Sequence, residues 1–183
     1  AMVDGSLSLM SFFYSLKEMG HWEDSRESNL LDGFAHFYDT YECSDNKYIA
    51  VGSIEPQFYS ELLDKLEIDD EQFKDQHNKK MWPELKEKMA AKIRLKSRSE
   101  WVEIFSDSDA CVSPVLSMEE AKKHPHNLAR DAFTTIDGFN QPNASPRFSI
   151  TNPEIKHNAK SIGSDQDDIY EEFNLRKEAF IKN

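Results

Sequence analysis

The amino-acid sequence predicts an α/β (α+β) fold: a small mixed sheet containing a β-hairpin, packed by several helices, with extended segments flanking it. Residues 37–43 alternate aromatic and polar side chains, Ser44-Asp45-Asn46 supplies turn chemistry, and residues 47–51 favour strand again, which together read as a hairpin. Pro56 can occupy the first turn of a helix, and Phe58, Tyr59, Leu62, Leu63 and Leu66 then form an apolar stripe at helical spacing. Two further helical patterns follow. Trp82-Pro83 opens one with Leu85, Met89 and Ile93 on a single face, and Ser97 with Glu100 has capping-box spacing ahead of Trp101, Val102, Ile104 and Phe105.

Ahead of the hairpin, Leu7, Met10, Phe13 or Tyr14, Leu16 and Met19 recur at helical spacing after Ser6, and Gly20 supplies a stop. Residues 21–36 hold no sustained period and read as a linker. Beyond the stripe, residues 69–73 suit a short helix, and residues 110–116 a short buried strand interrupted by Pro114. Ser117-Met118-Glu119-Glu120 starts a helix that ends near His124-Pro125, and residues 133–136 read as a strand. Residues 138–164 are rich in Asn, Pro, Ser and Gly and predict an extended, turn-filled passage, after which Ile169, Phe173, Leu175 and Phe180 mark a terminal helix over 165–180. Three parts result: a helix and linker (1–36), a small α/β domain (37–137), and a return linker with a terminal helix (138–183). The opening Ala1-Met2-Val3-Asp4-Gly5 runs straight into a helical pattern, which reads as the middle of a longer protein.

With 183 residues, 38% of them hydrophobic, the chain can bury one ordinary core. Twelve Phe and three Trp argue for order despite 31% charged residues and a mean hydropathy of -0.71. A formal charge of -12 repels polyanions, so neither DNA nor RNA is the expected partner. Lys86, Lys88, Lys92, Arg94, Lys96 and Arg98 run against that trend; a phosphate-bearing ligand is one reading of them and a solvated helix face the favoured one. The two cysteines, Cys43 and Cys111, have no second Cys or His at metal-ligand spacing, which fits a reducing, intracellular compartment. No apolar run approaches the roughly 18–20 residues that span a bilayer, so no membrane partner is expected. The ending Ile181-Lys182-Asn183 is not a peroxisomal Ser-Lys-Leu type address.

Glu55 is the sharpest candidate for chemistry. A carboxylate between a strand end and a helix start can orient a histidine or take part in proton transfer, although on local grounds complementing the helix dipole is the commoner role. Asp32-Gly33 lets backbone approach a ligand closely, and equally suits an ordinary turn. His36 beside them is either a ligand-facing group or a structural one. His124 and His126 flank Pro125 with no convergent third ligand in view, and Asp107, Asp109, Asp165, Asp167 and Asp168 lack the calcium-loop pattern, so no metal is assigned. Gly-x-Ser-x-Gly, phosphate-loop and dinucleotide fingerprints are missing from the sequence.

Several longer stretches add to this. Asn29-Leu30-Leu31-Asp32-Gly33, Phe37-Tyr38-Asp39-Thr40-Tyr41-Glu42-Cys43, Ala50-Val51-Gly52-Ser53-Ile54-Glu55-Pro56-Gln57-Phe58-Tyr59 and Asp109-Ala110-Cys111-Val112-Ser113-Pro114-Val115-Leu116 resemble α-methylacyl-CoA racemases of the class III CoA-transferase superfamily, in order and in spacing. Ala1-Met2-Val3-Asp4-Gly5, Trp82-Pro83-Glu84-Leu85 and Pro146-Arg147-Phe148 extend the likeness over nearly the whole chain.

The resemblance implies a parent about twice as long, with the small domain here and a large domain that binds coenzyme A and carries the acid/base histidine and aspartate. It implies an interlocked homodimer, a 2-methylacyl-CoA substrate whose (R) and (S) forms interconvert through an enolate, and no separate cofactor, coenzyme A being part of the thioester. A mitochondrial or peroxisomal setting follows if the source is eukaryotic. Glu55 matches the family's glutamate that pairs with that histidine, which reverses the local preference for a dipole role. Asp32 and Gly33, with His36 beside them, match the loop over the active site, but Phe34 stands where these racemases commonly carry a second Gly. Asp165 likewise replaces a histidine in the superfamily's terminal-helix start. An acyl-CoA transferase of the same superfamily, or a non-enzymatic dimerising module, are the competing readings.

Overall fold

The alternation in residues 37–51 folds as expected. In the computed structural model, which describes residues 1–175, β1 (Tyr38–Glu42) and β2 (Tyr48–Gly52) pair antiparallel from Tyr38↔Gly52 to Glu42↔Tyr48. A third strand, β3 (Val112–Pro114), joins the free edge of β2 with Ala50 opposite Ser113. The sheet order is β1-β2-β3 and every neighbour is antiparallel, which corrects the expected mixed sheet. A mixed sheet needs a parallel neighbour reached by a crossover; here the helices between β2 and β3 bring the chain back pointing the other way. Period-2 alternation turns Tyr41, Ile49 and Val51 into the core and leaves Thr40, Tyr48 and Ser113 on an open face.

The helices cover the inner face. From α2 (Pro56–Lys65) and the residue after it, Tyr59, Leu62 and Leu66 are buried, and from α3 (Trp82–Ile93), Trp82, Leu85, Met89 and Ile93. Between them a 3₁₀ turn, Glu71–Lys74, is capped by the Asp70 carboxylate and buries Phe73. The short α4 (Arg98–Ile104) begins with the expected capping box, Ser97 and Glu100 each accepting the other's backbone N–H, and sinks Trp101. Both buried indoles are satisfied: Trp82 Nε1–H donates to the Gln76 carbonyl at 2.8 Å and Trp101 Nε1–H to that of Ile93 at 2.7 Å.

The first helix, α1 (Met2–Glu18), buries none of its residues, and Gly20 with φ +74 follows its end. The irregular stretch after it holds Trp22 against Phe13 at 4.9 Å between ring centroids.

The structure has two compact units, Ala1–Val115 and Leu116–Asn183. In the second, a Ser117–Glu120 capping box starts α5 (Met118–Lys123). Pro125, read from sequence as a terminator, instead takes the first position of α6 (Pro125–Ala129), where its missing N–H has no partner to lose. The strand β4 (Phe133–Ile136) pairs antiparallel with β5 (Phe139–Pro142), which occupies the start of the passage expected to be turn-filled. Asp137 and Gly138 both have positive φ, 51° and 82°, and so make the tight two-residue connection. The last helix, α7 (Gln166–Glu172), forms part of the terminal helix expected over 165–180; residues 176–183 of that expectation lie outside the described residues.

Candidate functional site at the sheet's open face

Glu55 is the N-cap residue of α2, with extended backbone (φ -73, ψ 142), and its side chain makes no capping bond. Its carboxylate therefore projects from an exposed junction without serving the helix it precedes. Its backbone is held from both sides. Before it, the buried Ser53 donates its N–H to the Phe37 carbonyl at 3.0 Å and its hydroxyl to that of Ala110 at 2.5 Å. Gln76 Nε2 donates to the carbonyls of Ser53 and Ile54, each at 3.0 Å. After it, the Tyr59 N–H donates to the Glu55 carbonyl at 2.9 Å.

An open cleft of about 470 Å³ lies on the sheet's solvent face, lined by Tyr38, Thr40, Ala50, Gly52, Ser113 and Cys111 and rimmed by Leu31, Asp32 and Gly33. Asp32 is used internally: its carboxylate accepts the N–H groups of Ser28 at 3.1 Å and Asn29 at 2.9 Å, and Asn29 Nδ2–H at 2.8 Å. Partial burial raises its pKa, but those bonds from Asn29 and Ser28, with one from Phe34, outweigh burial and hold it below the usual carboxylate value. Gly33 takes φ +89, a conformation suited to glycine, and its carbonyl accepts from Lys86 Nζ at 2.5 Å. Lys86 also pairs with Asp39, so α3 and β1 fix the loop's position beside the cleft.

His36 sits elsewhere. It is fully buried, edge-on to the rings of Phe37, Tyr59 and Phe73, with Nε2 2.7 Å from the Tyr59 hydroxyl. That hydroxyl lies 3.0 Å from the Phe73 carbonyl and can donate to it while accepting from His36; the Nε2–H tautomer is the one that leaves no buried N–H stranded at the unpartnered Nδ1. Nδ1 is buried without a partner. Burial, reinforced by His77, lowers the imidazole pKa to about 4, so the ring is neutral at physiological pH.

The basic stretch is consumed by ion pairs. Lys88 pairs with Asp70, Lys92 with Glu67 at 3.5 Å, and Arg94 with Glu42, while Lys96 lies 5.3 Å over the Trp101 ring and Arg98 donates to the Val115 carbonyl. These side chains thus serve contacts within the chain, and Arg98 is buried, not solvated. His124 is the N-cap residue of α6, with no side-chain capping bond, and His126 lies within the helix. Among the described residues no group of three or more His, Cys, Asp or Glu side chains is arranged to hold a metal ion, and no helix is long and apolar enough to cross a membrane. Cys111, in the cleft wall with φ +53, has its thiol pKa raised by partial desolvation and then by the carboxylates of Glu55, Asp109 and Glu61, so it is a poor nucleophile. Glu55 itself is not among the residues lining the cleft.

Sequence reading missed Tyr59 and Gln76. Tyr59 had been placed only in an apolar stripe, although its position one turn after Glu55 and its hydroxyl were both visible. Nothing local marks Gln76, whose carbonyl partners lie more than twenty residues away in sequence.

Comparison with known proteins supplies the class to which this fold and this junction belong. The pattern of CoA-transferase family III matches residues 1–166, and the chain belongs to that family. Within it, the chain is 38% identical to the α-methylacyl-CoA racemase of Mus musculus, over 100% of this chain and 48% of that protein. It is also 38% identical to the racemase of Homo sapiens, over 97% of this chain and 47% of that protein. A CaiB/baiF CoA-transferase family protein of Caenorhabditis elegans is 31% identical over 64% of this chain and 33% of its own length. The chain thus spans about half the length of the racemases it matches. The crystal structure of Rv3272 from Mycobacterium tuberculosis shares the fold, with a TM-score of 0.61 at 14% identity over 86% of this chain and 41% of that one.

Proposed function

We propose that this chain contributes the Glu55-bearing part of a 2-methylacyl-CoA racemase active site, and that it is inactive alone. The observation that carries this reading is a glutamate with no capping bond at a strand-to-helix junction, in a chain 38% identical along its whole length to two such racemases. Racemisation at the carbon next to a thioester carbonyl needs one base to remove the proton, donors to hold the enolate oxygen, and an acid on the opposite face to return a proton. The acid/base histidine and aspartate belong to the half of the racemases that this chain does not span. Glu55 accepts the distal N–H of that histidine, sets its tautomer and stabilises its protonated form. Asp32 and Gly33 border the substrate at the cleft, while His36 acts from within the core. Coenzyme A enters as part of the substrate, and the working assembly is a homodimer.

The family's description favours one second reading, an acyl-CoA transferase that forms a covalent acyl intermediate on an aspartate of the other half. Deuterium uptake at the α carbon of a 2-methylacyl-CoA in D₂O separates the two. The expected result is no uptake with this chain alone, uptake when the amino-terminal half of a racemase is added, and a loss of about 10²–10⁴-fold with Glu55→Gln. Transfer of the acyl group to a second CoA acceptor without α-deuterium uptake would move the reading to a transferase, and silence in every arm would leave a binding module.

A further inference from the structure

We propose that His36 is a positioning residue for Glu55: as a buried Nε2–H donor it fixes Tyr59, and through Tyr59 the first turn of the helix that Glu55 begins. The inference rests on the role given to Glu55 but is read from geometry that does not depend on it. Two adjacent residues hold both flanks of the junction. The Phe37 carbonyl receives the Ser53 N–H at 3.0 Å, two residues before Glu55, and His36 Nε2 meets the Tyr59 hydroxyl at 2.7 Å, four residues after it. Tyr59 is the residue whose N–H closes the first turn of the helix on the Glu55 carbonyl, at 2.9 Å, so holding its side chain in the core holds that turn.

The imidazole is a poor choice for a core position unless its donor is needed. Its Nδ1 is buried with no partner, and its other neighbours are the rings of Phe37 and Phe73, which offer no hydrogen bond to either nitrogen. A phenylalanine would fill the space without stranding an acceptor. What it would not do is donate to Tyr59. The Tyr59 hydroxyl already spends its proton on Phe73, so without His36 it keeps a link to the 3₁₀ turn and loses its link to the segment entering β1. The titratable groups around the ring are Tyr59 from α2, Tyr41 from β1, whose hydroxyl donates to the His36 carbonyl at 2.6 Å, and His77.

The test is amide hydrogen exchange on the chain, resolved by residue, in His36→Phe, His36→Gln and Tyr59→Phe. The expected result is exchange at the amides of residues 59–62, the first bonded ones of the helix, accelerated roughly tenfold in His36→Phe and Tyr59→Phe, with the β1–β2 amides unchanged, and recovery in His36→Gln, whose amide can donate in place of the imidazole. Uniform acceleration across the core, with no recovery in His36→Gln, would mean an ordinary packing role and overturn the proposal. So would unchanged exchange at 59–62 in a folded His36→Phe. If His36→Phe does not fold, Tyr59→Phe and a two-bond ¹H–¹⁵N histidine spectrum decide, since a protonated Nδ1 on His36 is incompatible with the donor role. In the deuterium-uptake assay with the complementing half, His36→Phe lowers kcat and leaves KM. None of the exchange measurements needs substrate, so a silent Glu55→Gln would remove the functional reading without touching this one.

Discussion

An imidazole without access to water resists protonation, and the resistance appears as a pH dependence of folding. His36 is fully buried and its pKa is lowered from 6.5 to about 4 by burial and by His77, so between those values the unfolded chain takes up a proton that the folded chain refuses. The folded state is therefore undiminished above about pH 6.5 and loses stability as the pH falls toward 4, by about 1 kcal/mol at pH 5.5 and on the order of 3 kcal/mol near pH 4. Urea midpoints of the natural chain and of His36→Gln at pH 7 and pH 5.5 check this: the natural chain should fall by the larger amount. Equal falls would show that His36 titrates normally. Asp32, whose pKa lies below the usual 3.8, adds its own loss of stability only as the pH falls to about 4 and lower, outside the comparison of pH 7 with pH 5.5. At this scale Glu55 was legible from sequence, because Pro56 and the stripe behind it locate the helix start. His36 was not, because Ala35-His36-Phe37 describes its neighbours in the chain, whereas its burial comes from Tyr59 and Phe73, brought there by later elements.

Elements were most legible where the chain carries its own boundary chemistry. The hairpin 37–51 declared itself by period-2 alternation around Ser44-Asp45-Asn46, and α4 by the Ser97–Glu100 box. Ser97 accepts the Glu100 N–H and Glu100 accepts that of Ser97, which satisfies two donors that the first turn of a helix leaves unbonded. Because α4 is only 7 residues long, loss of its cap is not diluted by many internal bonds. Ser97→Ala should cost about 1 kcal/mol, seen as a lower denaturant midpoint with an unchanged slope. A change below about 0.3 kcal/mol would mean that Trp101, buried against the core, holds the helix unaided. The β4–β5 hairpin was missed although Asp137-Gly138 between β-favouring residues is a hairpin signal; the surrounding Asn, Pro and Ser content outweighed it. Pro125 was misread for a related reason: proline ends one helix and begins another with equal ease, and only the residues after it decide.

Over the whole molecule the apolar core is unevenly placed. Among the described residues its seventeen buried hydrophobic residues run from Ala35 to Ala110. The helix α1 buries nothing, and among the described residues from Leu116 onward none is buried. Yet both flanks carry large apolar side chains in water: Met2 is 92% exposed, Leu9 83% and Ile150 94%. The chain spans about half the length of its racemase relatives. Sequence reading recognised the helices and turns in these flanks but not that they lack a core, because an apolar stripe looks the same whether or not anything covers it. The stability of the isolated chain should then reside in the segment from the linker to β3. A shortened chain ending at Val115 should keep its far-ultraviolet melting midpoint within about 3 °C of the full chain, since among the described residues removed none is a buried apolar side chain whose loss would open the core. Hydrogen exchange should agree, with amides of Leu85, Met89 and Trp101 protected to the global unfolding limit and those of α5, α6 and the β4–β5 hairpin exchanging through local opening. A drop of about 10 °C or more on truncation would instead assign residues 116–183 a direct share in the stability of the core.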